Sequence, residues 1–237
     1  LGVRNILPEL GREAVLPLTT ALPGLPADQQ VVVINALADI GYPHAGTVLV
    51  AIARDDTSTE VVSAAAMRAL RLLGWETPGA IDLADLHVQL ATDYLDELEH
   101  LRARPTLIDD GAGGTLEMQN IWQWDTHHGL RSHLVPTDLY WPTMAIREAN
   151  LASDLAADGA AAKAAFVAGN LRLENRLGDR DVNLPLPQAE RSPAFHATIH
   201  GPAVARDVLL MDIDQGDASM ARDALAALGI TTTRSSP

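Results

Sequence analysis

Apolar residues recur along the first third of the chain at the spacing of helix faces, and the pattern itself recurs. Asn35–Gly41 places alanine, leucine and an apolar residue before a glycine, and Arg68–Gly74 repeats this layout 33 residues later. A third copy follows at Asp223–Gly229. Residues at this spacing share one face of a helix. A final glycine ends such a helix, because it enters the left-handed conformation without a steric cost. The recurrence predicts an array of stacked helix pairs.

The neighbouring segments extend this array. Leu1–Leu10 and Arg12–Leu22 are interpreted as the two helices of a degenerate first repeat, and Asp28 is a candidate N-cap of the next helix. Val31–Ile34 is β-branched and by itself would indicate a strand. We predict a helix there, because the corresponding segment Val61–Ala66 is rich in alanine.

His44–Arg54 is the next predicted helix, and the turn Asp55–Ser58 has acids and hydroxyls that can cap a helix starting near Thr59. The motifs that identify the array are Ala36-Leu37…Gly41, Ala45…Leu49…Arg54-Asp55-Asp56 and Val61…Ala65-Ala66…Ala69-Leu70…Gly74. In these motifs residues 12–74 resemble HEAT repeats, in particular the short repeats of the bilin-lyase-like group. The resemblance implies a non-catalytic scaffold for protein–protein contact. An enzyme on the same array, either bilin-lyase-like or metal-assisted, is the alternative.

The middle of the chain interrupts the array. Ile81–Arg102 is predicted to be one long helix with an acidic solvent face, and Asp109–Gly114 is predicted to be a flexible loop. Gln119–Trp124 and Leu130–Val135 have the alternation typical of strands. Because a lone two-stranded ribbon is marginal in water, we expect this ribbon to lie against the helices.

Helices resume after the ribbon. Thr137–Ala157 and Ala160–Asn175 are predicted to form a helical hairpin, and Ala162, Phe166 and Gly169 make its second helix similar to a tetratricopeptide repeat. Asp179–Pro193 is predicted to be a connector. Gly201–Asp212 and Asp217–Leu228 are then expected to form a HEAT-like pair.

The predicted fold class is therefore all-α, an α-solenoid of HEAT-like helix pairs with a short β-ribbon insertion. Its predicted segments are residues 1–80 (HEAT-like repeats), 81–104 (a long packing helix), 105–136 (loop and ribbon), 137–180 (the tetratricopeptide-like hairpin) and 181–237 (connector and C-terminal HEAT-like pair).

The composition of the chain argues against several classes of function. Acidic residues number 31 against 17 basic ones, giving a formal charge of −14 that opposes contact with nucleic-acid phosphates. The chain has no cysteine, which excludes disulfides and thiolate metal sites. No apolar run is long enough for a membrane span. The chain starts at Leu1, so we expect a fragment or processed product. The compartment stays open, with the cytoplasm slightly favoured.

The histidines raise the question of a metal site. Asp125, His127, His128 and His133 are close in sequence, but adjacent histidines on a strand point to opposite faces. His196 and His200 have the spacing of one helical turn, yet the glutamate of zinc proteases is missing between them. Motifs for a nucleophilic serine or a phosphate loop are also missing. We predict no metal, no cofactor and no catalytic residue.

Aromatic residues give the candidate binding site. Trp122, Trp124, Tyr140 and Trp141 fall within 20 residues of a chain that has nine aromatics. Tryptophan and tyrosine are enriched at the energetic centres of protein interfaces. We predict that the interruption, Asn120–Trp141, recognises a protein partner of unknown identity, with Trp122 and Trp124 pointing in opposite directions. The alternative is that the four rings form a small core that attaches the ribbon to the helices.

Overall fold

The structure is a computed structural model that describes residues 11–75, 80, 82–156, 159–186, 200–214, 216, 221–222, 224–226 and 228–229. These residues are mostly helical, as predicted, with one small sheet. The helices are α1 Arg12–Ala21, α2 Ala27–Ile40, α3 Gly46–Arg54, α4 Glu60–Leu72, α5 Leu83–Leu95, α6 Thr137–Leu155, α7 Ala160–Leu177 and α8 Gly201–Asp214. The strands are β1 Thr106–Asp109, β2 Thr115–Asp125 and β3 Gly129–Pro136, and short 3₁₀ turns span Leu22–Gly24, Pro43–Ala45 and Glu99–Leu101.

Local signals set several helix ends. α4 starts near Thr59 as predicted, but its N-cap is Thr59 itself and not a residue of the turn Asp55–Ser58: the Thr59 hydroxyl accepts a hydrogen bond from the Val62 N–H at 3.4 Å. Gly41 and Gly74 have φ of 78° and 88°, which places both in the left-handed region that ends a helix. Gly229 is helical and has no positive φ, and the residue after it lies outside the described residues.

Two predictions of helix ends are wrong. Pro26, and not Asp28, is the N-cap of α2, and Asp28 lies in the first turn, where its charge complements the helix dipole. The long helix predicted at Ile81–Arg102 stops at Leu95. Glu97 adopts a left-handed φ of 54°, and the Leu98 N–H bonds the Asp93 carbonyl at 3.2 Å, which closes the helix. The predicted helix Leu1–Leu10 lies outside the described residues.

The chain divides into two units, and the first consists of residues 1–83 and 99–134. In this unit α2 packs against α1 and α4, and α3 packs against α4. Leu37 and Leu70, which occupy equivalent places in the two repeats, are both fully buried. Strand β2 packs against α1, so the sheet lies on the helices of its own unit.

The sheet has three strands in the order β1-β2-β3, one more than predicted. β1 is antiparallel to β2, with Thr106 opposite Met118 and Asp109 opposite Thr115. The predicted flexible loop Asp109–Gly114 is therefore partly strand and partly an ordered turn. In that turn the Asp110 carboxylate accepts hydrogen bonds from the N–H groups of Ala112 and Gly114, both at 2.8 Å.

The second unit consists of residues 84–98 and 135–237. Its helices α6 and α7 pack along each other, as the predicted hairpin requires, and α8 packs on α7. Small residues permit this approach: Ala91, Ala149 and Ala165 form one fully buried cluster. A side chain at Gly169 would place its Cβ 2.8 Å from the Ile146 Cγ1 atom, so glycine sets this helix spacing. Among the described residues, every helix is too short or too polar to cross a membrane.

Candidate functional site

Trp122 and Trp124 lie on the same face of β2. Side chains two positions apart in a strand point the same way, so the expectation that these two rings point in opposite directions is wrong. Both side chains are half-buried. Leu116, which is 45% exposed, lies on the same face, and the register places Ile108 of β1 beside it. We call Ile108, Leu116, Trp122 and Trp124 the tryptophan face.

Gly24 fixes one end of the tryptophan face. The indole of Trp124 lies directly against this glycine, and an added Cβ there would be 2.1 Å from the Trp124 Cε2 atom. Because real Cβ atoms do not approach other atoms so closely, the ring can take this position only beside a glycine. Trp124 therefore anchors the sheet to the turn Leu22–Gly24 that follows α1.

The opposite face of β2 is more deeply buried near its middle. Gln119 and Ile121 are buried there, and the Gln119 side-chain amide donates a hydrogen bond to the Ala103 carbonyl at 3.1 Å. Leu107, which the register places opposite Glu117, is 63% exposed on this side. Each face of the sheet therefore has an exposed leucine, Leu116 on the face that carries the tryptophans and Leu107 on the other.

Tyr140 and Trp141 lie in the core of the second unit. They are 0% and 4% exposed, and their ring centroids are 5.3 Å apart. Tyr94 of α5 packs against both, with centroid distances of 6.1 Å to Tyr140 and 6.4 Å to Trp141. The four aromatics chosen from the sequence thus divide into a sheet pair in the first unit and a core pair in the second. In the described conformation the core pair presents no surface to a partner.

A buried polar pair in the second unit was not recognised from the sequence. The Nδ1 atom of His87 on α5 lies 2.8 Å from a carboxylate oxygen of Glu148 on α6, and the two side chains are only 12% and 9% exposed. Tyr94 lies near this pair. Burial raises the pKa of Tyr94 well above its usual value, and the neighbouring Tyr140 and Glu148 raise it further. The sequence feature that could have indicated this pair is Glu148, a charged residue on an alanine-rich helix face between Ala145 and Ala152.

The histidines of the turn between β2 and β3 serve to order that turn. One Asp125 carboxylate oxygen accepts hydrogen bonds from the N–H groups of His127 and His128, at 2.8 and 2.9 Å. These bonds lower the pKa of Asp125. In the part of the chain that the structure describes, no three His, Asp or Glu side chains converge as metal ligands. His196 lies outside the described residues, so its pairing with His200 stays untested.

The chain matches no known protein-family model, curated protein or solved structure. The resemblances to HEAT and tetratricopeptide repeats accordingly stay predictions from the sequence. The tryptophan face and the His87–Glu148 pair are the two features of the described residues that bear on function.

Proposed function

We propose that the chain is a non-catalytic protein-binding scaffold, in which HEAT-like helix pairs form an α-solenoid and the tryptophan face contacts the partner. The repeat interpretation is supported by residues 33 positions apart. Leu37 and Leu70 are buried equivalents, and Arg68 donates a hydrogen bond to the Asn35 side chain at 3.3 Å, which joins a second equivalent pair across α2 and α4. Stacked helix pairs of this kind commonly present extended binding surfaces.

The observation that carries the binding proposal is the pair of half-buried tryptophans on the face of β2 that also presents the exposed Leu116. Tryptophan brings a large apolar area and loses little conformational entropy on binding, which suits it to the centre of an interface. Trp124 is held in place by Gly24, so Trp122 and Leu116 extend from a rigid base. Rigid side chains lower the entropy cost of association.

Capture of partners from cells of the source organism tests this proposal. Leu116→Ala and Trp122→Ala each truncate one side chain of the tryptophan face. Leu107→Ala is the matched control, since it truncates an exposed leucine on the opposite face. Truncating a central tryptophan costs about 2 kcal/mol or more, which is roughly thirtyfold in affinity.

We expect quantitative mass spectrometry to show the same partners lost from both face variants and retained by the control. Thermal unfolding of each variant checks that the fold is kept. If folded Leu116→Ala and Trp122→Ala proteins retain every wild-type partner, the tryptophan face is not the binding surface.

An enzyme is the second candidate function, and the His87–Glu148 pair favours it. The His87 Nδ1 atom lies 2.8 Å from the Glu148 carboxylate, and in the neutral tautomer that donates from Nδ1 the Nε2 atom is the acceptor that a general base requires. The bilin-lyase-like resemblance supplies a probe. Incubation with a linear tetrapyrrole, with and without zinc, should shift the pigment's absorption for the wild type but not for His87→Asn. An unchanged spectrum in all samples removes this candidate.

A further inference from the structure

The outer edge of β1 is open in the described part of the chain. The sheet order β1-β2-β3 places β1 at one edge, with β2 as its one neighbour. The Asp110 N–H bonds the Gly114 carbonyl at 3.2 Å, in the same register that sets Asp109 opposite Thr115. In an antiparallel pair, residues that bond the neighbouring strand alternate with residues whose main-chain groups point away from it. Leu107 and Asp109 therefore direct their N–H and C=O groups away from β2.

This edge has the groups that a further strand needs. Leu107, at its centre, is 63% exposed. Pro105 precedes β1 and by the same alternation faces outward, so its missing N–H takes no bond from β2 while its carbonyl can still accept one. An edge with outward donors, outward acceptors and an exposed leucine is a template for pairing with another chain.

The charges at the two ends of the edge indicate which chain pairs with it. Arg104 lies just before Pro105 and Asp110 just after β1, and both residues are exposed. In an antiparallel pair of two β1 strands, the start of one strand lies beside the end of the other. With Leu107 of both copies on the two-fold axis, Arg104 of each copy lies opposite Asp110 of the other. Opposite charges placed directly across two strands stabilise their pairing, so the edge is complementary to itself.

Charge also selects this register over its neighbour. A shift of one copy by two residues sets Leu107 opposite Asp109 and still lets the outward main-chain groups bond. That shift brings the Asp109 carboxylates of the two copies together near the axis and moves Arg104 away from Asp110. Like charges across two strands destabilise the pairing, so the register with Leu107 on the axis is favoured.

We propose that the chain forms a two-fold symmetric homodimer, in which the β1 strands of two copies pair antiparallel through their outer edges with Leu107 on the axis. Each Leu107 N–H donates to the Leu107 carbonyl of the other copy, and each Asp109 N–H donates to the other copy's Pro105 carbonyl. The two three-stranded sheets become one continuous sheet. Thr106 of each copy then lies beside Ile108 of the other, which joins the two tryptophan faces. This association goes beyond the proposed function, which needs no second copy.

Sedimentation velocity of the full chain over a range of concentrations tests the homodimer. Salt at about 150 mM screens the repulsion between two copies of charge −14, since the Debye length is then about 8 Å. The wild type should change from monomer to dimer as its concentration rises. Leu107→Pro should stay monomeric, because it removes the donor at the axis and leaves the bonds to β2 in place. Leu107→Val is the matched control, and it should associate like the wild type because it keeps the N–H and an apolar side chain.

A charge swap tests the register. Arg104→Asp and Asp110→Arg should each weaken self-association roughly fivefold or more, because each variant replaces both opposite-charge pairs with like-charge pairs. An equimolar mixture of the two variants should recover the association, since residue 104 of one variant then meets an opposite charge at residue 110 of the other. Thermal unfolding checks that each variant is folded, because the Asp110 carboxylate also orders its own turn. If Leu107→Pro does not fold, the mixture decides the test.

Three results would overturn the homodimer. The first is a wild type that stays monomeric at every concentration, which would leave the outer edge of β1 to a strand of another protein. The second is a folded Leu107→Pro protein that associates like the wild type, since the contact would then lie elsewhere. The third is a mixture of the charge variants that associates no better than either variant alone. In each case, loss of captured partners from Trp122→Ala would still support the proposed function.

Discussion

Replacing Gly24 with alanine should destabilise the first unit through one identifiable contact. The new Cβ would lie 2.1 Å from the Trp124 Cε2 and Nε1 atoms and 2.7 Å from Cδ1, so the indole has to move. Gly24 lies in a 3₁₀ turn and has no positive φ, so alanine fits the backbone and the cost is steric. Overpacking of this kind costs about 1–3 kcal/mol.

A double-mutant cycle isolates that contact. Trp124→Ala alone should cost about 2 kcal/mol, less than the roughly 3–5 kcal/mol for a fully buried tryptophan, because this ring is half-buried. In the Trp124→Ala background, Gly24→Ala no longer meets the ring and should cost only a few tenths of a kcal/mol. The expected coupling energy is therefore about 1–3 kcal/mol.

Urea unfolding followed by far-UV circular dichroism measures all four proteins of the cycle. Gly229→Ala is the matched control, because a Cβ at this helical glycine meets nothing within 4 Å. That substitution should be neutral or slightly stabilising. If the costs of Gly24→Ala and Trp124→Ala simply add, the two residues are not in contact and the anchoring of the tryptophan face is refuted.

Two other predictions follow from burial and charge. Leu37→Ala and Leu70→Ala should each lower the free energy of unfolding by about 2–5 kcal/mol, because both side chains are fully buried. Leu72→Ala is the control, and it should change that free energy by less than about 0.5 kcal/mol because the residue is 69% exposed. If urea unfolding gives Leu72→Ala the same cost as the other two variants, the repeats are misaligned. Duplex DNA should not bind at about 150 mM salt because the formal charge of −14 repels phosphates, and a gel-shift complex stable at that salt would reveal a basic surface.

The sequence predicted those parts of the fold that depend on local and repeated patterns. Leu37 and Leu70 take the same place in a motif that occurs twice at one spacing, and both are buried. Strand β1 was missed, since its four residues are mostly exposed and show no apolar alternation. Its pairing with β2 is what makes it a strand, and a local pattern does not contain that pairing. The end of α5 was missed for a similar reason, because Glu97 enters the left-handed region without a glycine or proline to signal it.

In the candidate site, too, a local sequence pattern does not show which residues meet in the fold. Trp124 and Trp141 are close in sequence, but the chain passes from the sheet into α6 between them, so one ring anchors a sheet and the other fills a helical core. The spacing of two between Trp122 and Trp124 was sufficient to predict a shared face. His87 and Glu148 are 61 residues apart, and a single sequence gives no means of pairing them.

The interleaving of the two units has a consequence for biosynthesis. Going from residue 1 to residue 237, the chain changes unit three times, at 83/84, 98/99 and 134/135. During translation α5 is therefore synthesised before the rest of its unit. Tyr94 and Leu95, which are buried in the folded unit, stay exposed to solvent until α6 and α7 have been synthesised. During that interval the nascent chain exposes an apolar helix face of the type that chaperones bind. For the same reason, no single cut divides this chain into two complete units, and a truncated gene would yield one unit lacking a segment.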